Sequence, residues 1–153
     1  IHTFAGVQLR LKCAQIMQQQ GYEEPVGRAK ITPGYNLPAK RIIHTVGPMT
    51  KGSPTVEQRK QLTQCYLSCL DAAALDGAKS IAFCCISTGV FGFPQQEGAA
   101  IATNAVKTWL DTRKPGEPGA DMHVIFDVYT EQDETYYREI LGPDAESEET
   151  AEA

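Results

Sequence analysis

A chain of 153 residues, 42% hydrophobic and 22% charged, has the size and composition of one globular domain with a real core. No apolar run approaches the roughly 18–20 residues of a membrane helix, and Ile1-His2-Thr3-Phe4 shows neither a basic leader segment nor an initiator Met, so a processed or partial chain is expected. The net charge of −5 is concentrated in Asp144, Glu146, Glu148, Glu149 and Glu152, and the remaining body carries 14 residues of each sign, which argues against broad binding to a nucleic-acid backbone.

In chain order, the residues after Ile1 read as a helix of fourteen or so. Ala5, Leu9, Cys13, Ile16 and Met17 recur at three and four, and Gly21 ends the run. Residues 22–28 read as a loop, and Ala29 to Thr32 as a short strand closed by the turn Pro33-Gly34-Tyr35-Asn36. A second strand is expected from Lys40 to Gly47, stopped by Gly47-Pro48. Ser53 is the expected N-cap of a long helix with Pro54 at its first position. Leu62, Cys65, Tyr66, Cys69, Leu70 and Ala73 form its apolar stripe, and Gly77 closes it. Ser80 to Ile86 is continuously apolar, the signature of a strand covered on both faces. After a loop at Ser87–Pro94, a helix begins near Gln95, with Ala102, Ala105, Val106, Trp109 and Leu110 on its apolar side. A loop at 111–121 leads to a strand from Met122 to Tyr129. Thr130 caps a last helix, with Asp133 three residues on, and Tyr136, Tyr137, Ile140 and Leu141 are expected to face inward. The segment 143–153 has no large apolar residue and is expected to be a disordered acidic tail.

Strands alternating with helices define an α/β layered domain, in which ligands bind at the carboxyl ends of strands. The five cysteines, Cys13, Cys65, Cys69, Cys84 and Cys85, are odd in number and sit in apolar patterns, which suits buried thiols in a reducing cytoplasm. No complete metal-ligand spacing is present, so no metal ligand is assigned. His2 and His44 read as packing residues, Cys65 and Cys69 as core, and the adjacent Cys84 and Cys85 as inert thiols on opposite faces of a strand.

The segment Ile86-Ser87-Thr88-Gly89-Val90-Phe91-Gly92-Phe93-Pro94 joins the most apolar strand to a helix. Gly89 and Gly92 let the backbone turn and approach a ligand closely, and successive N–H groups beside a helix N-terminus make an anion cradle. Phe91 or Phe93 could cover a sugar or base. The segment contains no Gly-x-x-x-x-Gly-Lys-Ser/Thr, no Gly-x-Gly-x-x-Gly and no Gly-x-Ser-x-Gly. It also has no Lys or Arg, so main-chain dipoles would hold the anion unaided, which suits a diphosphate. A plain strand–helix connector with a packed Phe is the competing reading.

The segment resembles the diphosphate-binding loop of macrodomains, the ADP-ribose-binding modules. Three further segments agree in order: Ile1-His2-Thr3-Phe4-Ala5-Gly6, Gly27-Arg28-Ala29-Lys30-Ile31-Thr32, and Tyr35-Asn36-Leu37-Pro38 leading to Ile43-His44-Thr45-Val46-Gly47-Pro48. The wording from Ile1 to Cys13 is similar to a bacterial branch of zinc-containing macrodomains that hydrolyse ADP-ribose from proteins. The resemblance implies a three-layer α/β/α domain with a mixed sheet, present as a partial macrodomain over 1–142 that lacks the first two strands. One missing strand would lie between those at 40–47 and 80–86, leaving unpaired ladders and a poorly stable domain unless pairing rearranges.

The resemblance also implies residue roles. Ser87, Thr88, Gly89, Val90, Phe91 and Gly92 would bind ADP-ribose, with loop amides on the phosphates and Phe91 against the distal ribose. Tyr129 would lie against adenine, and Asp127 falls where the family often has a neutral residue. Catalytic residues stay unassigned, and the zinc and catalytic segment of the branch would precede Ile1. The expected partners are ADP-ribose and ADP-ribosylated protein, with no nucleic acid or membrane, and the expected state is a cytoplasmic monomer. The implied activity is a protein-ADP-ribose hydrolase. A non-catalytic ADP-ribose reader and an inactive fragment are the alternatives.

Overall fold

The computed structural model describes residues 1–142; the expected acidic tail at 143–153 lies outside them. In chain order the elements are α1 (His2–Ala5), α2 (Val7–Gln20), β1 (Ala29–Pro33), β2 (Arg41–Thr45), α3 (Val56–Leu75), β3 (Ser80–Phe83), α4 (Gln95–Asp111), β4 (His123–Phe126) and α5 (Glu131–Leu141). Every expected element is present, and the chain is a mixed α/β domain. The strands form two separate two-stranded sheets: β1 pairs antiparallel with β2, from Ala29 opposite Thr45 to Pro33 opposite Arg41, and β3 pairs parallel with β4, from Ser80 opposite His123 to Phe83 opposite Phe126. No ladder hydrogen bond joins β2 to β3, the pair between which the resemblance leaves room for another strand.

The first helix is not the single run expected. It breaks at Gly6, whose φ of 92° lies in the left-handed region. A Cβ there would come 2.6 Å from Asn36 Nδ2, and the Asn36 N–H donates to Ala5 C=O at 3.2 Å. The β1–β2 turn therefore docks into the break, which only a glycine leaves open. Gly21 does end α2, in the left-handed conformation, with its N–H on Met17 C=O. The cap of α3 is Thr55, not Ser53. Thr55 Oγ1 accepts from Gln58 N–H while Gln58 Oε1 accepts from Thr55 N–H. This reciprocal box satisfies two otherwise unpaired donors. Thr130 caps α5 as expected, accepting from Asp133 N–H.

The two sheets are covered differently. In β2, Ile42 packs with Ala5 and Leu9 on one face, and Ile43 joins the main core on the other. α2 and α3 thus sandwich β1–β2, and the three-layer order is complete there. In β3, Ile81 and Phe83 enter the main core beside Val124 and Phe126 of β4, but Ala82 is exposed. The continuous apolar run of β3 had predicted cover on both faces. Among the described residues the helices over this sheet contribute to one core, so its second face is open. The expected burial of the cysteines changes with it: Cys65 and Cys69 are buried, Cys13 and Cys85 half-buried, and Cys84 exposed. α5 also departs from expectation. Tyr137 is buried and Tyr136 half-buried, but Ile140 and Leu141 are about half exposed.

The main core runs as an aromatic chain across the open sheet. Ring centroids lie 5.0 Å apart for Tyr66 and Phe83, 6.4 Å for Phe83 and Phe126, and 4.9 Å for Phe126 and Tyr137. This chain ties α3 to α5 through β3 and β4. Tyr66 also reaches the exit of β3, where its hydroxyl oxygen accepts from Ile86 N–H at 3.4 Å.

Candidate functional site at the exit of the third strand

β3 ends at Phe83, earlier than the strand to Ile86 read from the sequence, and the chain turns before α4 starts at Gln95. Ser87 is left-handed at φ 65°, an uncommon conformation for a residue with a Cβ. Phe93 N–H donates to Ser87 C=O at 3.0 Å, and Gly92 N–H to Gly89 C=O at 3.0 Å. These bonds close the loop at its base and at its tip. Thr88 is fixed inside: its Oγ1 donates to Cys85 C=O at 3.1 Å, and its Cγ2 lies 2.7 Å from the position of a Cβ on Gly98 of α4. Phe93 is buried in the main core and anchors the loop.

What remains is a run of free donors. Among the described residues, the amides of Gly89, Val90 and Phe91 have no protein acceptor, whereas those of Thr88, Gly92 and Phe93 are engaged. α4 begins directly afterwards, and its N-cap Pro94 supplies no side-chain acceptor to the first turn. Three successive free amides beside an uncapped helix N-terminus form a site of positive potential built from main chain alone. Val90 at the tip is fully exposed and Phe91 half-buried.

The two glycines differ. Gly92 has a φ of 73°, and a Cβ on it would come 2.9 Å from Thr50 C=O; Gly89 is not in the left-handed region, and a Cβ there would meet nothing within 4 Å. Gly92 is required by the fold, and Gly89 leaves room outside it. The second wall of the loop comes from the segment after β2, which the sequence marked only as a strand stop. A Cβ on Gly47 would lie 2.1 Å from Ser87 Oγ, and Thr50 N–H donates to Phe91 C=O at 2.8 Å. The signal for this contact was the glycine of Gly47-Pro48, read for its turn and not for the close approach it permits.

Tyr129 follows β4 at the same end of the sheet, but its ring is exposed to solvent. The fold therefore brings Ser87 to Gly92 together as one turn and leaves the Tyr129 ring outside it. Nearby, the N-termini of α4 and α5 are joined: Gln95 Nε2 donates to Asp133 Oδ1 at 3.0 Å, and Thr130 Oγ1 donates to Asp133 Oδ2 at 2.7 Å. Asp133 is buried and holds the helix that follows Tyr129 against the one that follows the loop.

The buried and half-buried cysteines around this end are poor nucleophiles. Burial pushes the Cys69 thiol up to about 12 and the Cys85 thiol up to about 11, and desolvation raises Cys65 as well. His44 hydrogen-bonds Thr32 Oγ1 through Nε2 at 2.9 Å, and burial followed by the nearby His2 lowers its pKa. It is a neutral packing residue, as its pattern suggested. Among the described residues, no three His, Cys, Asp or Glu side chains form a metal-ligating group.

A mixed α/β domain with a cradle of main-chain amides at the carboxyl end of a parallel strand is the architecture of a ligand-binding α/β module. Residues 1–102 match the family model of the Macro domain. The chain is 52% identical over 142 residues to a protein-ADP-ribose hydrolase of Treponema medium, covering 93% of this chain and 52% of that protein. It aligns with the Oceanobacillus iheyensis macrodomain with ADP at a TM-score of 0.80 and 38% identity, covering 92% of this chain and 72% of that one. A Trypanosoma brucei macrodomain in complex with ADP-ribose aligns at 0.66 and 32%, covering 77% and 47%. This chain belongs to the macrodomain family. It spans about half the length of the named hydrolases it matches.

Proposed function

We propose that the loop Ser87–Gly92 binds the diphosphate of ADP-ribose, and that the protein containing it removes ADP-ribose from modified proteins. The observation that carries this reading is the run of free amides at Gly89, Val90 and Phe91, in a loop where those of Thr88, Gly92 and Phe93 are engaged. A diphosphate supplies acceptor oxygens to such a run, and the uncapped start of α4 favours its charge. Phe91, half-buried in the turn, would then meet the ribose beyond the second phosphate. Tyr129 would gain a contact by folding over the base, which explains an aromatic ring held free at this end of the sheet.

In this reading the loop contributes positioning. It fixes the diphosphate and so sets the orientation of the distal ribose toward attack by water at its anomeric carbon. None of Ser87 to Phe93 is an acid or base for that step, and catalytic residues are left unassigned. The same reading makes residues 1–142 a partial macrodomain. A further strand between β2 and β3 would pair their free edges, and the loops attached to it would supply the remaining ligand contacts. Zinc belongs to that added segment if the enzyme uses it. The protein acts as a cytoplasmic monomer on ADP-ribosylated protein.

The test is calorimetric titration of ADP-ribose into the longest translated form of the protein, beside a Gly89→Val variant, together with release of ADP-ribose from a modified protein. Saturable binding by the wild type, abolished in the variant, supports the cradle. Binding without release would make the protein a reader. Equal binding by the variant would remove the loop from the site.

A further inference from the structure

The segment that walls the loop contains a side chain whose chemistry the packing does not use. Thr50 is 7% exposed, and its Oγ1 is buried with no hydrogen-bond partner. Its main chain is employed. The N–H donates to Phe91 C=O at 2.8 Å, and the C=O lies against Gly92, 2.9 Å from where a Cβ would stand. The residue before it is anchored separately, because Gln58 Nε2 donates to Met49 C=O at 2.8 Å while Gln58 Oε1 completes the cap of α3. The N-terminus of α3 thus holds Met49–Thr50, and Thr50 holds the Phe91–Gly92 turn. None of this needs the hydroxyl.

A valine would fill the same volume without burying an unpaired polar atom, so the hydroxyl is a cost in the free protein. It is not an isolated oddity. The other buried hydroxyl without a partner among the described residues is that of Ser87, at the opposite end of the same loop. Thr50 Oγ1 lies 3.8 Å from the Cβ position of Gly92, beside the turn that carries the free amides. Among the described residues, the two buried hydroxyls without a partner therefore both lie at the loop that carries the free amides of Gly89 to Phe91.

We propose that Thr50 is a positioning residue for the diphosphate loop. Its main chain clamps Phe91 and Gly92 in the free protein, and its hydroxyl takes up a hydrogen bond when a diphosphate fills the turn, donating to a phosphate oxygen directly or through one bound water. This rests on the diphosphate reading above. It adds to that reading a group from the β2–α3 segment, outside the loop, that distinguishes the loaded turn from the empty one.

The experiment pairs stability with affinity. Thr50→Val and Thr50→Ser are made in the longest translated form, and thermal midpoints are measured without ligand. ADP-ribose and inorganic pyrophosphate are then titrated separately into each protein. Thr50→Val is expected to melt at the wild-type temperature or above, and to bind both probes about tenfold more weakly, the scale of one lost hydrogen bond to a charged group. Thr50→Ser is expected to restore affinity to within about twofold. A valine variant that binds like wild type overturns the role of the hydroxyl while the diphosphate reading stands. A valine variant that loses stability in step with affinity assigns the hydroxyl to the fold and also overturns it. Wild type that binds neither probe overturns the diphosphate reading and Thr50 together.

Discussion

The β1–β2 and β3–β4 sheets are built from similar apolar strands and end in different states. β1–β2 is closed above and below, with Ile42 and Ile43 committed to two different cores. β3–β4 is packed on one face and open on the other, where Ala82 and Cys84 meet solvent. The closed sheet holds the structural histidine and the turn that docks on Gly6. The open sheet carries the loop with free amides, and its exit is braced by Gly47 and Thr50 from the closed one. One sheet is spent on stability and the other presents a site, and the site is shaped where the two meet.

The largest expected effect tests the closed sheet directly. Ile42→Ala should lower unfolding free energy by about 2–5 kcal/mol, whereas Ala82→Ser on the open face should change it by less than about 0.5 kcal/mol, both read by chemical denaturation. Comparable losses would mean that the two faces are equally buried in solution. Next comes the junction. Gly47→Ala forces a methyl onto Ser87 Oγ and Ile86 Cγ2, and should cost about 1–3 kcal/mol while shifting the amide resonances of Gly89 to Phe91. A shift confined to residues 45–49 would show that the brace does not reach the loop. Gly89→Val should then leave stability within about 0.5 kcal/mol and abolish ADP-ribose binding, because the space it fills lies outside the fold.

The smallest effect concerns pH. The folded pKa of His44 lies below its ordinary 6.5, from burial and then the nearby His2. The unfolded chain therefore takes up more protons as pH falls below about 6.5, and the stability contributed by neutral His44 is lost through that range. The thermal midpoint should fall between about pH 7 and pH 5.5, and His44→Gln should flatten that slope. An unaltered slope would assign the acid sensitivity to other groups.

The element order and the loop were legible because their signals are local. An extended apolar segment stopped by Gly47-Pro48 marks the strand read at 40–47, an apolar stripe at helical spacing marks α3, and Gly21 and Thr130 act on their own helix ends. The departures have non-local causes. Gly6 breaks a helix because Asn36, from another element, needs the space. Thr55 displaces Ser53 as the cap because the side chain three residues on, Gln58, can answer it. The apolar run of β3 is the same string whether one or two layers cover it, so the exposure of Ala82 was not readable. Thr50 carries no pattern at all, and only its distance to Phe91 reveals it.

The touching pair Gly47 and Ser87 acts as a pivot. It sets how closely β2 and β3 can approach at their carboxyl ends, whereas no ladder bond joins them along their length. Any extended segment that threads between these strands has one terminus beside that pivot, and whatever chain continues from that terminus emerges next to the waiting amides. Completing the sheet and adding chain beside the loop would then be a single mechanical event, and a lesion that jams the pivot would impair both at once.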